Sequence, residues 1–253
     1  MKRSEQVLWL IKKGRVFELS PADFAGRSMT KEEFIAILNY FGVFWQYQGK
    51  PRADAPHAFL KSEKHSNGFI VCDDVLQYPA MCTLFACEIV KVLEEMGVAE
   101  KVDVVVSSAY SAISLGWEVA RILSQEYNLA VEYRRVEKDE KGNPTKIRTP
   151  IDPEKTVLVI NELMTTGGGS TWETKKAVQE CNGSNPAPKI IDPAFVLVHR
   201  SQDWKLADGS DVRAIFHFNI ENFPDKEHCP YCKAGSEAIK PKIGNNWARL
   251  HGA

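Results

Sequence analysis

No apolar run in this 253-residue chain approaches the roughly 20 residues that a membrane helix needs. The stretch Val7 to Ile11 is brief, is stopped by Lys12 and Lys13, and follows a charged Met1-Lys2-Arg3-Ser4-Glu5, so it does not read as a signal peptide. Charge of one sign is also missing. The 32 Lys plus Arg nearly balance the 33 Asp plus Glu, giving a formal net charge of -1. That excludes the global basic field of a nucleic-acid binder and the acidic tail of a solvating segment. Any phosphate ligand must be held by a local site. Internal repeats and low-complexity segments are absent. Six cysteines are present, and four of them, Cys72, Cys82, Cys87 and Cys181, stand scattered among other residues, which suits reduced thiols and a cytoplasmic setting.

The chain alternates apolar runs with amphipathic segments. Thr30-Lys31-Glu32-Glu33 is a capping box ahead of Phe34, Ile37, Leu38 and Phe41 at helical spacing. The polar break from Gly49 to Pro56 marks a boundary. Residues 1–50 are therefore read as a helical N-terminal segment, 51–220 as an α/β core and 221–253 as a C-terminal extension. Strands are expected over Gly68 to Val71, Asp103 to Val106, Leu129 to Tyr133, Thr156 to Ile160, Ala194 to Val198 and Val212 to Phe218. Helices are expected over Ala80 to Met96 (stopped by Gly97), Ala112 to Gln125 and Ser170 to Glu180. The polar stretch Glu137 to Asn143 reads as a solvated loop. Strands without alternation, each followed by a helix, predict a parallel sheet covered on both faces. Ligands of such sheets sit beyond the strands' carboxyl ends, which narrows the search to the loops after Val106, Tyr133 and Ile160.

The third loop is the most informative. A buried strand runs into Asn161-Glu162, then Leu163-Met164, then Thr165-Thr166-Gly167-Gly168-Gly169-Ser170 at a helix start. Glycines let backbone amides approach a phosphate, the helix dipole favours the dianion, and three hydroxyls can donate. No Gly-Lys-Ser/Thr follows, and Gly-x-Gly-x-x-Gly spacing is missing, which excludes Walker and dinucleotide loops.

These residues resemble the ribose-phosphate motif of type I phosphoribosyltransferases, with Asn161 standing where that family has an acidic residue. Three further segments resemble the orotate branch. Ala58-Phe59-Leu60-Lys61-Ser62-Glu63-Lys64-His65-Ser66 is similar to its Phe-Thr-Leu-Lys-Ser-Gly-Arg-x-Ser. Ser107-Ser108-Ala109-Tyr110-Ser111-Ala112-Ile113-Ser114-Leu115 is similar to its Gly-Pro-Ala-Tyr-Lys-Gly-Ile-Pro-Leu pyrophosphate loop, with Ser111 in place of lysine. Tyr133-Arg134-Arg135-Val136-Glu137-Lys138 is similar to the mobile catalytic loop Phe-x-Arg-Lys-Glu. The family's catalytic lysine falls on Asp139, with Lys138 or Lys141 able to supply the charge.

The resemblance implies a Rossmann-like type I core. It implies an enzyme that ribosylates a nitrogenous base, orotate-like or another heterocycle, from 5-phosphoribosyl-1-pyrophosphate (PRPP) and Mg²⁺ and releases pyrophosphate. Arg135, Glu137, Lys138 and Glu162 would be catalytic. Lys61, Ser107, Ser108, Ala109, Tyr110, Ser111, Asn161, Glu162 and Thr165, Thr166, Gly167, Gly168, Gly169 and Ser170 would bind PRPP, with Glu162 toward the metal. A homodimer and an N-terminal hood over the base site are implied likewise. The alternative is a regulatory protein that keeps the pocket without turnover, which Asn161 and the lost lysines favour. Cys229-Pro230-Tyr231-Cys232 is separately half of a structural zinc site or a pair of plain thiols. His228, His217, His251, Cys72, Cys82 or Cys87 are the candidates to complete it.

Overall fold

The computed structural model describes residues 3–127, 129–138, 144–165 and 168–252. In chain order the elements are α1 (Arg3–Lys12), α2 (Lys31–Tyr40), β1 (Phe44–Gln46), β2 (His57–Phe59), β3 (His65–Ser66), β4 (Gly68–Ile70), α3 (Asp73–Leu76) and α4 (Pro79–Glu95). Next come β5 (Val104–Ser107), α5 (Ile113–Tyr127), β6 (Glu132–Lys138), β7 (Pro144–Ile147), β8 (Thr156–Met164) and α6 (Gly169–Glu180). The chain ends with β9 (Lys189–Ile190), β10 (Ala194–His199), β11 (Val212–His217), β12 (Asn222–Phe223), α7 (Pro230–Lys233), β13 (Ala238–Ile239) and α8 (Asn246–Leu250).

Seven strands form the central sheet in the order β11-β10-β8-β5-β6-β7, with β9 beside the start of β8. All its pairings are parallel except β6 with β7. The period of two along each strand sorts the apolar side chains between two cores. Val105, Leu158, Ile160, Phe195 and Leu197 face Phe85 and Ile89 of α4, Val119 of α5 and Phe34 of α2. Val104, Val106, Val157, Val159 and Val196 face Ala177 and Val178 of α6. Helices thus cover both faces, as the unalternating strands predict. The first core is the larger because the N-terminal helices join it, Phe34 stacking on Phe216 at 3.8 Å. The capping box is formed, with the Glu33 amide donating to Thr30 Oγ1 and the Thr30 amide donating to the Glu33 carboxylate. Gly97 ends α4 at φ +67.

Three expectations need correction. The strand expected at Leu129 to Tyr133 begins at Glu132 and runs to Lys138, so Glu137 and Lys138 lie in a hairpin with β7 rather than a solvated loop. The cause is partnership: Val136 and Ile147 are buried, and Glu137 meets Arg148 at 2.6 Å across the pair. Second, β8 does not stop at Ile160 but carries Asn161 to Met164. Third, Gly68 to Val71 stands outside the central sheet, β4 pairing antiparallel with β1. A further small sheet, β12-β3-β2-β13, joins the C-terminal extension to the β2–β3 hairpin. Among the described residues no helix is long and apolar enough to cross a membrane.

Candidate active site

The sheet order dictates where a ligand can lie. From β5 the chain crosses through α5 to β6 on one side, whereas from β8 it crosses through α6 to β10 on the other. Adjacent strands β5 and β8 therefore form a topological switch point, and a crevice opens beyond their carboxyl ends. The residues singled out at 107–111 and, among the described ones, at 165 and 168–170 flank it from opposite sides.

The loop after β5 is tied down from beneath. Ser107 Oγ lies 2.8 Å from the Tyr133 hydroxyl, and Ser108 Oγ donates to Asn161 Oδ1 at 2.5 Å. Ala109 is buried. These anchors lift Tyr110, which is 70% exposed and held at φ +73. A bulky non-glycine residue there stores roughly 1–3 kcal/mol of strain, a mark of sites where the backbone is shaped for a ligand. The Lys138 ammonium sits 4.5 Å from the Tyr110 ring centroid. Tyr110, Ser111, Tyr133, Arg135 and Asp73 line a cleft of ≈ 530 Å³, the size of a small-molecule site.

At the end of β8 the two polar residues have different surroundings. Asn161 is buried, and its amide is engaged at both its oxygen and its nitrogen. Its Oδ1 accepts from the Ser108 hydroxyl and the Glu162 amide, and its Nδ2 donates to Thr171 Oγ1 at 3.0 Å. It thereby joins the loop after β5, strand β8 and the first turn of α6. Glu162 carries the opposite signature. Burial pushes its carboxyl up to about 7, with hydrogen bonding from its own amide and the Lys138 charge pulling the other way. Its Oε2 is buried without a hydrogen-bond partner among the described residues. An orphaned carboxylate oxygen is costly to a fold and is characteristic of a position awaiting a ligand.

Beyond β8, Thr165 is exposed and its carbonyl accepts from the Gly168 amide at 3.2 Å. Thr166 and Gly167 lie outside the described residues. Gly169 and Ser170 open the 12-residue α6 and are exposed, so their amides face outward at its positive end. Arg135 is exposed beside the cleft, while Glu137 pairs with Arg148 and Lys146. Lys141 and Asp139 also lie outside the described residues. Lys61 occupies an exposed turn between β2 and β3, and no described hydrogen bond, ion pair or ring contact joins it to the other site residues.

One residue of the crevice carries no sequence signal. Arg200, just past β10, donates its amide to the Met164 carbonyl at 3.0 Å. It is only 7% exposed, its Nε has no partner, and no ion pair reaches it among the described residues. Burial lowers its pKa. Its neighbour Cys72, whose thiol burial keeps protonated, donates to the Glu162 carbonyl at 3.9 Å. Cys72 thus feels both the Arg200 cation and the Glu162 carboxylate.

The curated orotate phosphoribosyltransferase of Caldanaerobacter subterraneus subsp. tengcongensis is 30% identical over 187 residues, 73% of this chain and 87% of that protein. The chain belongs to the type I phosphoribosyltransferase family. Its orotate branch recurs in Pelotomaculum thermopropionicum, whose orotate phosphoribosyltransferase is 30% identical over 213 residues, 84% of this chain and 97% of the relative. No family model matches the chain. The solved structure of Leishmania donovani UMP synthase shares the fold at a TM-score of 0.54 and 19% identity, with 95% of this chain covered and 46% of that one.

Within this phosphoribosyltransferase-family fold, Gly168 is the glycine that geometry requires. It adopts φ +59 as the cap of α6, and an added Cβ would stand 2.8 Å from both Met164 Cε and Leu206 Cδ2. Gly168→Ala is expected to cost about 1–3 kcal/mol. A thermal melt should show this as a fall of about 2–4 °C per kcal/mol.

Proposed function

We propose that this chain transfers ribose 5-phosphate from PRPP to a carboxylated, orotate-like pyrimidine, releasing pyrophosphate. What supports the reading is that the Glu162 carboxylate, whose Oε2 has no hydrogen-bond partner among the described residues, and the Arg200 guanidinium, which has no ion pair among them, both act on the buried Cys72 at the carboxyl end of the sheet. In this reaction the C1–O bond to pyrophosphate breaks as a ring nitrogen bonds to C1, and positive charge builds on the ribose. Glu162 would meet the ribose hydroxyls and stabilise that charge from a site that needs no reorganisation. The start of α6, with Thr165, Gly169 and Ser170, would hold the 5-phosphate, and the Tyr110 loop with Arg135 and Lys138 would receive the pyrophosphate. Arg200 would pair with the carboxylate of the base, supplying the counter-charge each lacks. Asn161 is assigned a positioning part, because its amide is already occupied.

Mg²⁺ fits this donor set. It favours hard oxygen ligands, keeps several waters and is commonly held by one or two carboxylates together with substrate phosphates. The orphaned oxygen of Glu162 offers one such ligand. When bound, the ion would neutralise charge on the departing pyrophosphate.

The test is direct. Pyrophosphate release should be measured with PRPP, Mg²⁺ and either orotate or uracil, the same ring lacking the carboxylate. Release is expected with the first and far less with the second. PRPP binding by calorimetry without release from any base would instead support the regulatory reading. Absence of both would remove PRPP from consideration.

A further inference from the structure

Away from the crevice, four side chains from distant parts of the chain converge. His57 on β2, His65 on β3, and Cys229 and Cys232 of the α7 knuckle each place one ligand atom within 4.8 Å of all the others. His57 Nε2 is 2.8 Å from His65 Nδ1, 3.5 Å from Cys229 Sγ and 3.4 Å from Cys232 Sγ. Cys232 Sγ is also 3.4 Å from His65 Nδ1. Zinc–ligand bond lengths in a tetrahedron set these edges at roughly 3.3 Å for N–N and 3.6 Å for N–S. Four of the six edges thus lie slightly inside tetrahedral values, and the other two lie within 4.8 Å.

The surrounding contacts point the same way. The Ser236 hydroxyl donates to the Ala55 carbonyl at 2.6 Å, so at 2.8 Å it accepts from His57 Nδ1–H. That fixes the tautomer and turns the Nε2 lone pair toward the cluster, as an outer partner does for a metal-bound imidazole. Without a cation, the two thiols and the His65 N–H would compete for that single lone pair. The local packing also needs reinforcement. The small sheet's strands are two or three residues long, and the apolar cluster beside them has five buried members, Trp45, Ala58, Leu60, Ile239 and Leu250. So small a core holds such strands poorly without a staple.

The candidates expected to complete the site are engaged elsewhere. His228 pairs with Asp225, His217 with the Ser201 carbonyl, and His251 with the carbonyls of Trp247 and Phe44. Cys72 and Cys82 are buried in the larger core, and Cys87 packs against it.

We propose that His57, His65, Cys229 and Cys232 bind a structural zinc ion, both cysteines as thiolates. It clamps the C-terminal extension to the hairpin whose turn carries Lys61. Full-length protein purified from zinc-supplemented medium without chelator should contain about one zinc per chain by emission spectrometry. Exchange with Co²⁺ should give the visible spectrum of a tetrahedral, thiolate-bound ion. Cys232→Ser should retain at least roughly tenfold less zinc after dialysis against a weak chelator. His228→Ala, altering an exposed neighbour, should retain it in full. Stripping the wild type should lower its melting temperature by roughly 5 °C or more. Should Cys232→Ser fail to fold, the zinc content and cobalt spectrum of the wild type decide the matter. Metal-free wild-type protein, whether with free thiols or a Cys229–Cys232 disulfide, overturns the site, as does full zinc retention by Cys232→Ser.

Discussion

Glu162→Gln is expected to lower the rate of pyrophosphate release by roughly 10²–10³-fold, the usual cost of removing one preorganised group that stabilises transition-state charge. The same substitution should make the unliganded protein more stable. Burial raises the Glu162 carboxyl to about 7, so the folded state holds its proton more tightly than the unfolded chain does. For a carboxyl shifted upward, stability falls as pH rises from the unfolded value through the folded one, and the whole penalty is present above about 7. Glutamine abolishes that penalty, so Glu162→Gln should gain roughly 1–3 kcal/mol at pH 8 and almost nothing at pH 4. Thermal melts at the two pH values measure this. A residue of merely structural value would lose stability along with activity, so a gain paired with the loss is diagnostic. In the wild type, kcat/KM should rise with pH through about 7 as the carboxylate forms, and this limb should vanish in the variant. A melt in which Glu162→Gln is less stable at pH 8 than the wild type would rule out a ligand-awaiting carboxylate.

That trade of stability for a poised group explains which parts of the molecule were legible in the sequence. The central strands were, because Val104 to Val106 and Val157 to Ile160 are buried on both faces and so cannot alternate. Helix α2 was, because Thr30 and Glu33 cap each other locally. The glycine-rich run ahead of α6 was legible as a motif. Strand β8 was read four residues short because Asn161 and Glu162 are polar. The burial of Asn161 depends on partners, Ser108 and Thr171, that only the fold supplies. Strands of two or three residues, such as β2, β3, β12 and β13, contain no full period to detect. The Cys229–Cys232 knuckle announced half a metal site, but His57 stands 172 residues from Cys229 in sequence, and no local pattern links them. Lys61 was legible only through resemblance, and its exposed turn leaves its part in PRPP binding as a proposal.

Arg200 is the clearest case of a proposed role hidden from sequence, since an arginine after an apolar strand is ordinary until its burial without an ion pair among the described residues is seen. Replacing it with methionine keeps a long side chain and removes the charge. Because the guanidinium is buried and unpaired, Arg200→Met should leave the unliganded protein as stable as the wild type or more so. PRPP affinity should change less than about twofold, since in the proposed reading the 5-phosphate, ribose and pyrophosphate would be held elsewhere. The KM for a carboxylated base should rise by about 10²–10³, the cost of leaving one member of a desolvated charge pair alone. Arg200→Lys should fall between, because an ammonium keeps the charge but not the paired, planar donors that match a carboxylate. The control is the base without its carboxylate. Weak turnover of uracil should be the same in wild type and Arg200→Met, so discrimination between the two bases collapses. Equal losses with both bases would mean that Arg200 shapes the crevice rather than reads the carboxylate. The acceptor would then have to be sought among uncharged heterocycles.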